Sequence, residues 1–322
     1  MLKNKFSILE VTKKSMVFSS IKSSYIGGTE LMLLNLENKV FLNAPELKEW
    51  RWLISPGRWE SSLEDKNIGY IHLNNTQGDF WFLETPDLLD YIVFVSYYQY
   101  QRFFESHPKM DTSKCYVIKN SIEPIEITSK DYSGKLKMIF QSEPYRGLDR
   151  LLMALSLLKE HQDIELHIFG NLDINAEWGL DLELEKSIKE LCSKDSRVVL
   201  RGRTPNQEVR EFLKEAHIFA YPSTFEEVSC ISLIEAMSAG LYCITNSYGA
   251  LPETGIGLTK IYPFNVDPEK EARALAREIE KAIDTLKSGT FDYLTQAAIA
   301  NKAYSHEERL KEWISFSNDI NH

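Results

Sequence analysis

Two glutamates, Glu227 and Glu235, stand eight positions apart in PSTFEEVSCISLIEAMSAG (222–240). The apolar run from Ile231 predicts a short helix carrying Glu235, with Glu227 just ahead of its N-terminus. A helix rises about 1.5 Å per residue, so the carboxylates reach up to about 12 Å apart along one edge, with unpaired backbone N–H groups between them. Those N–H groups and the positive helix end attract phosphate, while a carboxylate accepts hydrogen bonds from sugar hydroxyls. A nucleotide diphosphate-sugar has hydroxyls at both ends and phosphate in the middle, so the segment reads as a cradle for such a donor. The competing reading is a solvated pair on an ordinary amphipathic helix. Against it, Glu235 sits among Ile231, Leu233, Ile234, Ala236 and Met237, which leave little room for a wet face and require a buried partner.

Other loops have the composition to hold phosphate or sugar. YRGLDRLL (145–152) follows an apolar strand pattern and opens a helix. Arg146 supplies a planar fork for two phosphate oxygens, and Gly147 permits close backbone approach. In YIGGTELMLL (25–34), Gly27 and Gly28 lie between an opening strand and a helix, where small residues let a ligand meet the helix end. Gly170 closes the strand pattern ELHIFG, and Ser229 and Cys230 lead into the helix of Glu235. Gly28, Gly170, Ser229 and Cys230 therefore join Arg146, Gly147 and Glu235 as donor-binding candidates, and Glu227 is a catalytic one. His72, ending IGYIHLN, is the second catalytic candidate, a neutral imidazole able to bond a sugar hydroxyl or a nascent proton, with a structural histidine as the alternative. Asp79 and Glu84 are secondary candidates for acceptor contact. No glycine fingerprint for a dinucleotide and no phosphate-loop lysine motif is present, and GIGLTK (255–260) precedes a strand instead of following one. A nicotinamide-dependent dehydrogenase finds no support.

Positioning these residues takes two domains, because 322 residues exceed the usual size of one core, and 43% hydrophobic residues suffice to fill two. No stretch approaches the roughly 20 apolar residues of a membrane span, and the N-terminal segment lacks the apolar core of a signal peptide. A cytoplasmic protein without a transmembrane segment is expected, with peripheral membrane contact left open. Cys115, Cys192, Cys230 and Cys243 are scattered without CxxC spacing, which suggests neither zinc nor disulfides. The net charge of −10 is uneven: residues 1–130 hold 15 Lys and Arg against 16 Asp and Glu, and residues 131–322 hold 22 against 31. That balance argues against general nucleic-acid binding. Lys3, Lys5, Lys13, Lys14 and Lys22 form either a solvated face or a patch for an anionic acceptor or membrane.

Strands alternating with helical patterns predict an α/β protein with parallel sheets. In the first half strands are expected at 16–20, 39–44, 51–55, 68–74, 91–96 and 115–120, and in the second at 135–140, 165–170, 197–202, 218–223, 241–246 and 258–263. Apolar stripes predict helices from Leu148 to Leu158, from Val209 to Ala216 behind Thr204-Pro205, and from Asp267-Pro268 to near Gly289. The last segment, 303–320, forms an amphipathic helix through Leu310, Trp313 and Ile314. The polar stretch 121–134, with Pro124 and Gly134, marks the join. Two open sheets predict a ligand crevice at the C-terminal ends of their strands.

Together these residues resemble the retaining glycosyltransferases of family 4. The resemblance runs from GGTE (27–30) through VFVSYYQYQRFF (93–104) and YVIKNSI (116–122) to GALPETG (249–255), and is strongest from Arg197 to Glu253. It implies the GT-B fold: two Rossmann-like domains with parallel sheets facing a central cleft. Residues 1–126 would bind acceptor, residues 127–302 would bind the nucleotide-sugar, and residues 303–322 would pack back on the first domain, with Trp313 near the hinge. The resemblance further implies that Glu227 touches the donor sugar and Glu235 the ribose, with Arg146-Gly147 in place of the usual Lys-Gly. Gln141 replaces an Arg common in the family, and Val228-Ser229-Cys230 replaces Gly-Phe-Gly.

The implied activity is transfer of a sugar from a nucleotide diphosphate-sugar to a hydroxyl of a glycan, lipid-linked or protein acceptor, with retained configuration. Neither a metal nor a cofactor is expected, since no aspartate pair accompanies the phosphate loops. The alternatives are, second, a catalytically silent subunit that binds sugar-nucleotides and, third, a sugar-nucleotide epimerase.

Overall fold

The computed structural model describes residues 10–11, 28–54, 66–72, 89–172 and 182–321. The strand expected at 16–20, the N-terminal lysines, Gly27, Asp79 and Glu84 lie outside them. The chain divides into two compact units, Met1–Ser121 with Tyr304–His322, and Ile122–Ala303.

The first unit is built on a five-stranded sheet in the order β1-β2-β3-β4-β5. Its strands are Glu10–Val11, Arg51–Ile54, Asn67–Ile71, Tyr91–Phe94 and Cys115–Val117. β2 to β5 are parallel and β1 is antiparallel to β2. Every residue of β3 is buried, as expected of a parallel strand covered on both faces. The Tyr97–Ser106 helix starts at Ser96, whose side chain accepts from the Gln99 amide, and its Phe103 packs with Ile71, Leu89, Ile92 and Phe94.

The strand expected at 39–44 is corrected to helix. The Gly28–Asn35 helix continues through a π-helical turn, Leu36–Val40, into Phe41–Asn43. Leu33, Leu36, Val40, Ala44 and Leu47 are all buried, and their spacing of three and four residues is a helical stripe. A window confined to Val40, Phe41 and Leu42 shows only its β-prone part.

The His306–Ile320 helix belongs to the first unit and is opened by Ser305, which accepts from the Glu308 amide. Its Trp313 meets Trp52 at 5.7 Å and Tyr70 at 5.4 Å between ring centroids, both edge to face. Ser317 donates to Glu46 at the same face.

The second unit has a six-stranded sheet in the order β11-β10-β9-β6-β7-β8, parallel throughout. Its strands are Leu136–Phe140, Ile164–Ile168, Val198–Leu200, Ile218–Tyr221, Tyr242–Asn246 and Lys260–Tyr262, numbered β6 to β11 along the chain. The sheet grows one way from β6 to β8, then reverses, so β9 pairs with β6 and growth continues to β11. This is the Rossmann order, in which the connections leaving the two central strands run to opposite faces of the sheet. Leu148–Leu157 and Pro268–Lys287 pack together through their apolar stripes. The Leu182–Lys194 helix was not expected: its buried face holds Ile188 and Cys192 but also Glu185, too thin a stripe to read.

Trp313→Ala is expected to lower the stability of the first unit by about 3–5 kcal/mol, the usual result of emptying a buried tryptophan site. Chemical denaturation followed by tryptophan fluorescence checks this. A loss under about 1 kcal/mol would contradict the packing described.

Candidate functional site

At the reversal in strand order the loop after β6 lies directly on the loop after β9. The first ends in a single turn, Pro144–Arg146, followed by Gly147 in the left-handed region at φ 108°. A Cβ there would stand 2.0 Å from the Pro222 carbonyl oxygen. The close approach that Gly147 permits is thus made by the chain itself. Thr224 stitches the loops further, its hydroxyl donating to the Tyr145 carbonyl at 2.9 Å.

Arg146 is fixed by this junction. Its Nη1 donates to Glu227 Oε1 at 3.1 Å, and the guanidinium lies 4.0 Å from the centre of the Phe225 ring. Burial works against its charge, but Glu227, with Tyr221 and Tyr145, more than offsets this and holds the pKa above its ordinary value. Tyr221, the last residue of β9, donates to the same Oε1 at 2.6 Å, and its hydroxyl lies 3.2 Å from Ser142 Oγ.

The backbone of Glu227 is clamped from the next loop. Gly249, at φ 64°, approaches so closely that a Cβ would meet both Glu227 N and Glu227 O at 2.6 Å, and the Ala250 amide donates to that carbonyl at 2.7 Å. Asn246, ending β10, donates to the Ser223 carbonyl at 2.9 Å and to Glu271 Oε1 at 2.7 Å. Glu271 is fully buried and also accepts from the Tyr262 hydroxyl at 3.1 Å and the Asn265 amide at 2.6 Å. Bonds to a charged acceptor contribute about 1.5–3 kcal/mol each, so this carboxylate braces the loop of Glu227 from behind.

Glu235 occupies the Ile231–Ser238 helix and is 4% exposed. Arg210 Nη1 donates to its Oε1 at 2.8 Å, and Asn206 Nδ2 reaches the same atom at 3.4 Å. Burial pushes the carboxyl above its ordinary pKa, and Arg210, then Asn206, pull it back. Both glutamates therefore share one arrangement: Oε1 is paired with an arginine, and Oε2 accepts no hydrogen bond among the described residues. A carboxylate held by one oxygen presents the other in a set direction.

Ser229 and Cys230 form the turn into this helix, with Cys230 as the N-cap residue making no side-chain capping bond. Burial, then Glu227, raises the Cys230 thiol well above its ordinary pKa, so it is no nucleophile at neutral pH. Gly170 follows β7, and a Cβ on it would meet the Ser142 carbonyl at 2.9 Å. Arg146, Gly147, Gly170 and Glu227 thus converge on the loops at the reversal, and Ser229, Cys230 and Glu235 continue from Glu227 into the helix. Gly28 and His72 belong to the first unit. Gly28 is exposed at the start of its helix.

His72 follows β3 and is 8% exposed, edge-on to Tyr70 at 4.2 Å. Its Nε2 is enclosed and has no partner among the described residues. Burial lowers its pKa to about 3, so the imidazole is neutral at physiological pH and available for hydrogen bonding only.

Sequence reasoning missed Tyr221, Phe225, Gly249, Asn206 and Arg210. Tyr221 was hidden in an apolar strand and Arg210 on the polar side of a helix. Gly249 alone carried a local signal, as the first residue of GALPETG (249–255) in the resemblance.

Comparison with known proteins supplies the family. The family described as "Glycosyl transferases group 1" matches residues 128–290, which contain Arg146, Glu227 and Glu235. The chain belongs to it. One subunit of human phosphatidylinositol N-acetylglucosaminyltransferase is 28% identical over 181 residues, covering 54% of this chain and 34% of the relative. The chain thus spans a minority of the length of the curated relatives it matches. A glycosyltransferase from Rickettsia africae superposes with a TM-score of 0.65 at 17% identity, over 89% of this chain and 82% of the other. Anabaena HepE in complex with UDP-glucose gives 0.64 at 14%, over 80% and 73%. These likenesses show the GT-B glycosyltransferase fold. Among the described residues of this glycosyltransferase-family chain no helix is long and apolar enough to cross a membrane, and no cluster of His, Cys, Asp or Glu is placed to hold a metal.

Two outcomes follow from the geometry. Gly147→Ala forces a side chain into the Pro222 carbonyl at positive φ and is expected to destabilise the second unit by about 3 kcal/mol or more, read as a fall in Tm. For His72 the unfolded chain takes up a proton near the ordinary pKa of 6.5, whereas the folded protein does so near 3. Its contribution is therefore present above 6.5 and lost as pH falls toward 3, at up to about 1.4 kcal/mol per pH unit. In His72→Asn this part of the pH dependence of stability should disappear; an unchanged slope would show that His72 is not buried neutral.

Proposed function

We propose that the chain transfers a sugar from a nucleotide diphosphate-sugar to an acceptor hydroxyl, without a metal ion and with retention at the anomeric carbon. The observation that carries this reading is the Arg146–Glu227 pair, set where the strand order reverses and leaving Glu227 Oε2 unengaged. Arg146 faces the diphosphate with the part of its guanidinium that Glu227 leaves free, its side chain being 27% exposed. Charge on the departing diphosphate grows as the glycosidic bond breaks, so a fixed cation favours the transition state over the bound donor. Glu227 Oε2 orients the sugar hydroxyls, and Glu235 Oε2 accepts from the ribose. The departing phosphate oxygen takes the acceptor proton, so no further carboxylate base is required.

Membership of a glycosyltransferase family and the fold shared with a UDP-glucose-binding protein support a nucleotide-sugar as donor. The name of the human relative makes a lipid-linked hydroxyl the first acceptor to try, before glycan and protein acceptors.

A second reading, a catalytically silent sugar-nucleotide-binding subunit, is favoured by Gln141. This neutral residue follows β6 and is clipped to Ser232 by reciprocal bonds, its Nε2 donating to the Ser232 carbonyl at 3.1 Å and Ser232 Oγ to the Gln141 carbonyl at 2.9 Å. It brings no second cation to the loop of Arg146. Calorimetry with nucleoside diphosphates combined with a donor-hydrolysis assay separates the two: tight binding without turnover on any acceptor selects the silent subunit.

Under the first reading Glu227→Ala should lower turnover by about a hundredfold while changing nucleotide affinity little, and Glu235→Ala should mainly weaken nucleotide binding. Equal and trivial effects of both in the hydrolysis assay would refute the assignment.

A further inference from the structure

We propose that Arg210 is a positioning residue for the donor: it holds Glu235 by Oε1 alone, so that Oε2 faces the hydroxyls of the donor's nucleoside. The proposal rests on the assignment of the nucleoside to Glu235 made above.

Arg210 lies in the middle of the Asn206–Glu215 helix, and its planar group is pinned at both ends. Nη1 donates to Glu235 Oε1 at 2.8 Å, and Nη2 donates to the Glu123 carbonyl at 2.6 Å. That carbonyl is itself anchored to the helix of Glu235, because the Ile125 amide donates to Ser238 Oγ at 2.9 Å, and Ser238 is fully buried. Arg210, Glu235, Ser238, Ile125 and Glu123 thus close a ring of bonds and backbone that holds the guanidinium from two sides.

Asn206, one turn earlier, aims at the same Oε1, so both donors converge on one oxygen of a carboxylate that is 4% exposed. The carboxylate cannot rotate without breaking the Arg210 bond, and its second oxygen keeps one direction. Such an oxygen lacks a partner until a ligand brings hydroxyl donors, which the vicinal diol of a ribose supplies and a deoxygenated sugar does not. A lysine at position 210 keeps the charge but not the two fixed bond directions, so Glu235 stays paired and loses its orientation.

The test is calorimetric binding of UDP, GDP and ADP and of their 2′,3′-dideoxy counterparts to the whole chain, with Tm recorded for each variant. The wild type is expected to bind at least one parent diphosphate about tenfold or more tightly than its dideoxy form. Arg210→Lys should lose that margin while its affinity for the dideoxy form changes less than about twofold. Arg210→Met combined with Glu235→Gln, which removes both charges, should bind no worse than Glu235→Gln alone. Arg210→Lys that keeps the margin, or that weakens parent and dideoxy forms equally, overturns the proposal, the second outcome marking a purely structural residue. A wild type that binds a diphosphate without any margin takes the nucleoside away from Glu235 and ends the proposal while leaving sugar transfer standing. A wild type that binds none of the three ends the functional reading and this one with it.

Discussion

The ion pair between Arg146 and Glu227 is the contact around which the loops at the reversal of strand order are arranged. It joins two loops that leave neighbouring strands at the reversal, and it exists only because Gly147 lets the Pro222 carbonyl come where a side chain would otherwise be. A largely buried pair of this kind contributes little net stability if both partners stay, yet removing one leaves an uncompensated charge at about 3–5 kcal/mol. Its value is geometric. The cation lies against Phe225 and the anion is held by Tyr221.

Behind that pair, stability and site geometry come from the same groups. Glu271, far along the sequence in the Pro268–Lys287 helix, reaches the Glu227 loop through Asn246 and the Ser223 carbonyl, and Gly249 presses on the backbone of Glu227. These contacts fill polar needs that a buried loop cannot leave open. They also brace the loop from two sides. The two glutamates of the site repeat a single device, one oxygen satisfied by an arginine and the other accepting no hydrogen bond among the described residues.

Much of this was legible in the chain. The strands of the second half stood out as short apolar runs between helical stripes, because parallel strands buried on both faces have few polar positions. Glu235 was suspect for the company it kept, and it is indeed buried and paired. The error at 39–44 came from reading a short window: Leu33, Leu36, Val40 and Ala44 continue a helical period that begins before it. The Leu182–Lys194 helix escaped because a buried Glu185 interrupts its apolar face.

By itself the sequence determined the strands of the second unit and the helices with a full apolar stripe, since periodicity is a local property, and it singled out Glu227, Glu235 and Arg146 by residue type and spacing. Tertiary structure alone decided which groups they meet. Arg146 lies 81 positions before Glu227 and Arg210 25 before Glu235, and only the strand order brings such distant residues within hydrogen-bonding reach. The choice of which carboxylate oxygen is occupied and which stays open is likewise set by packing, because it depends on the direction from which each arginine arrives.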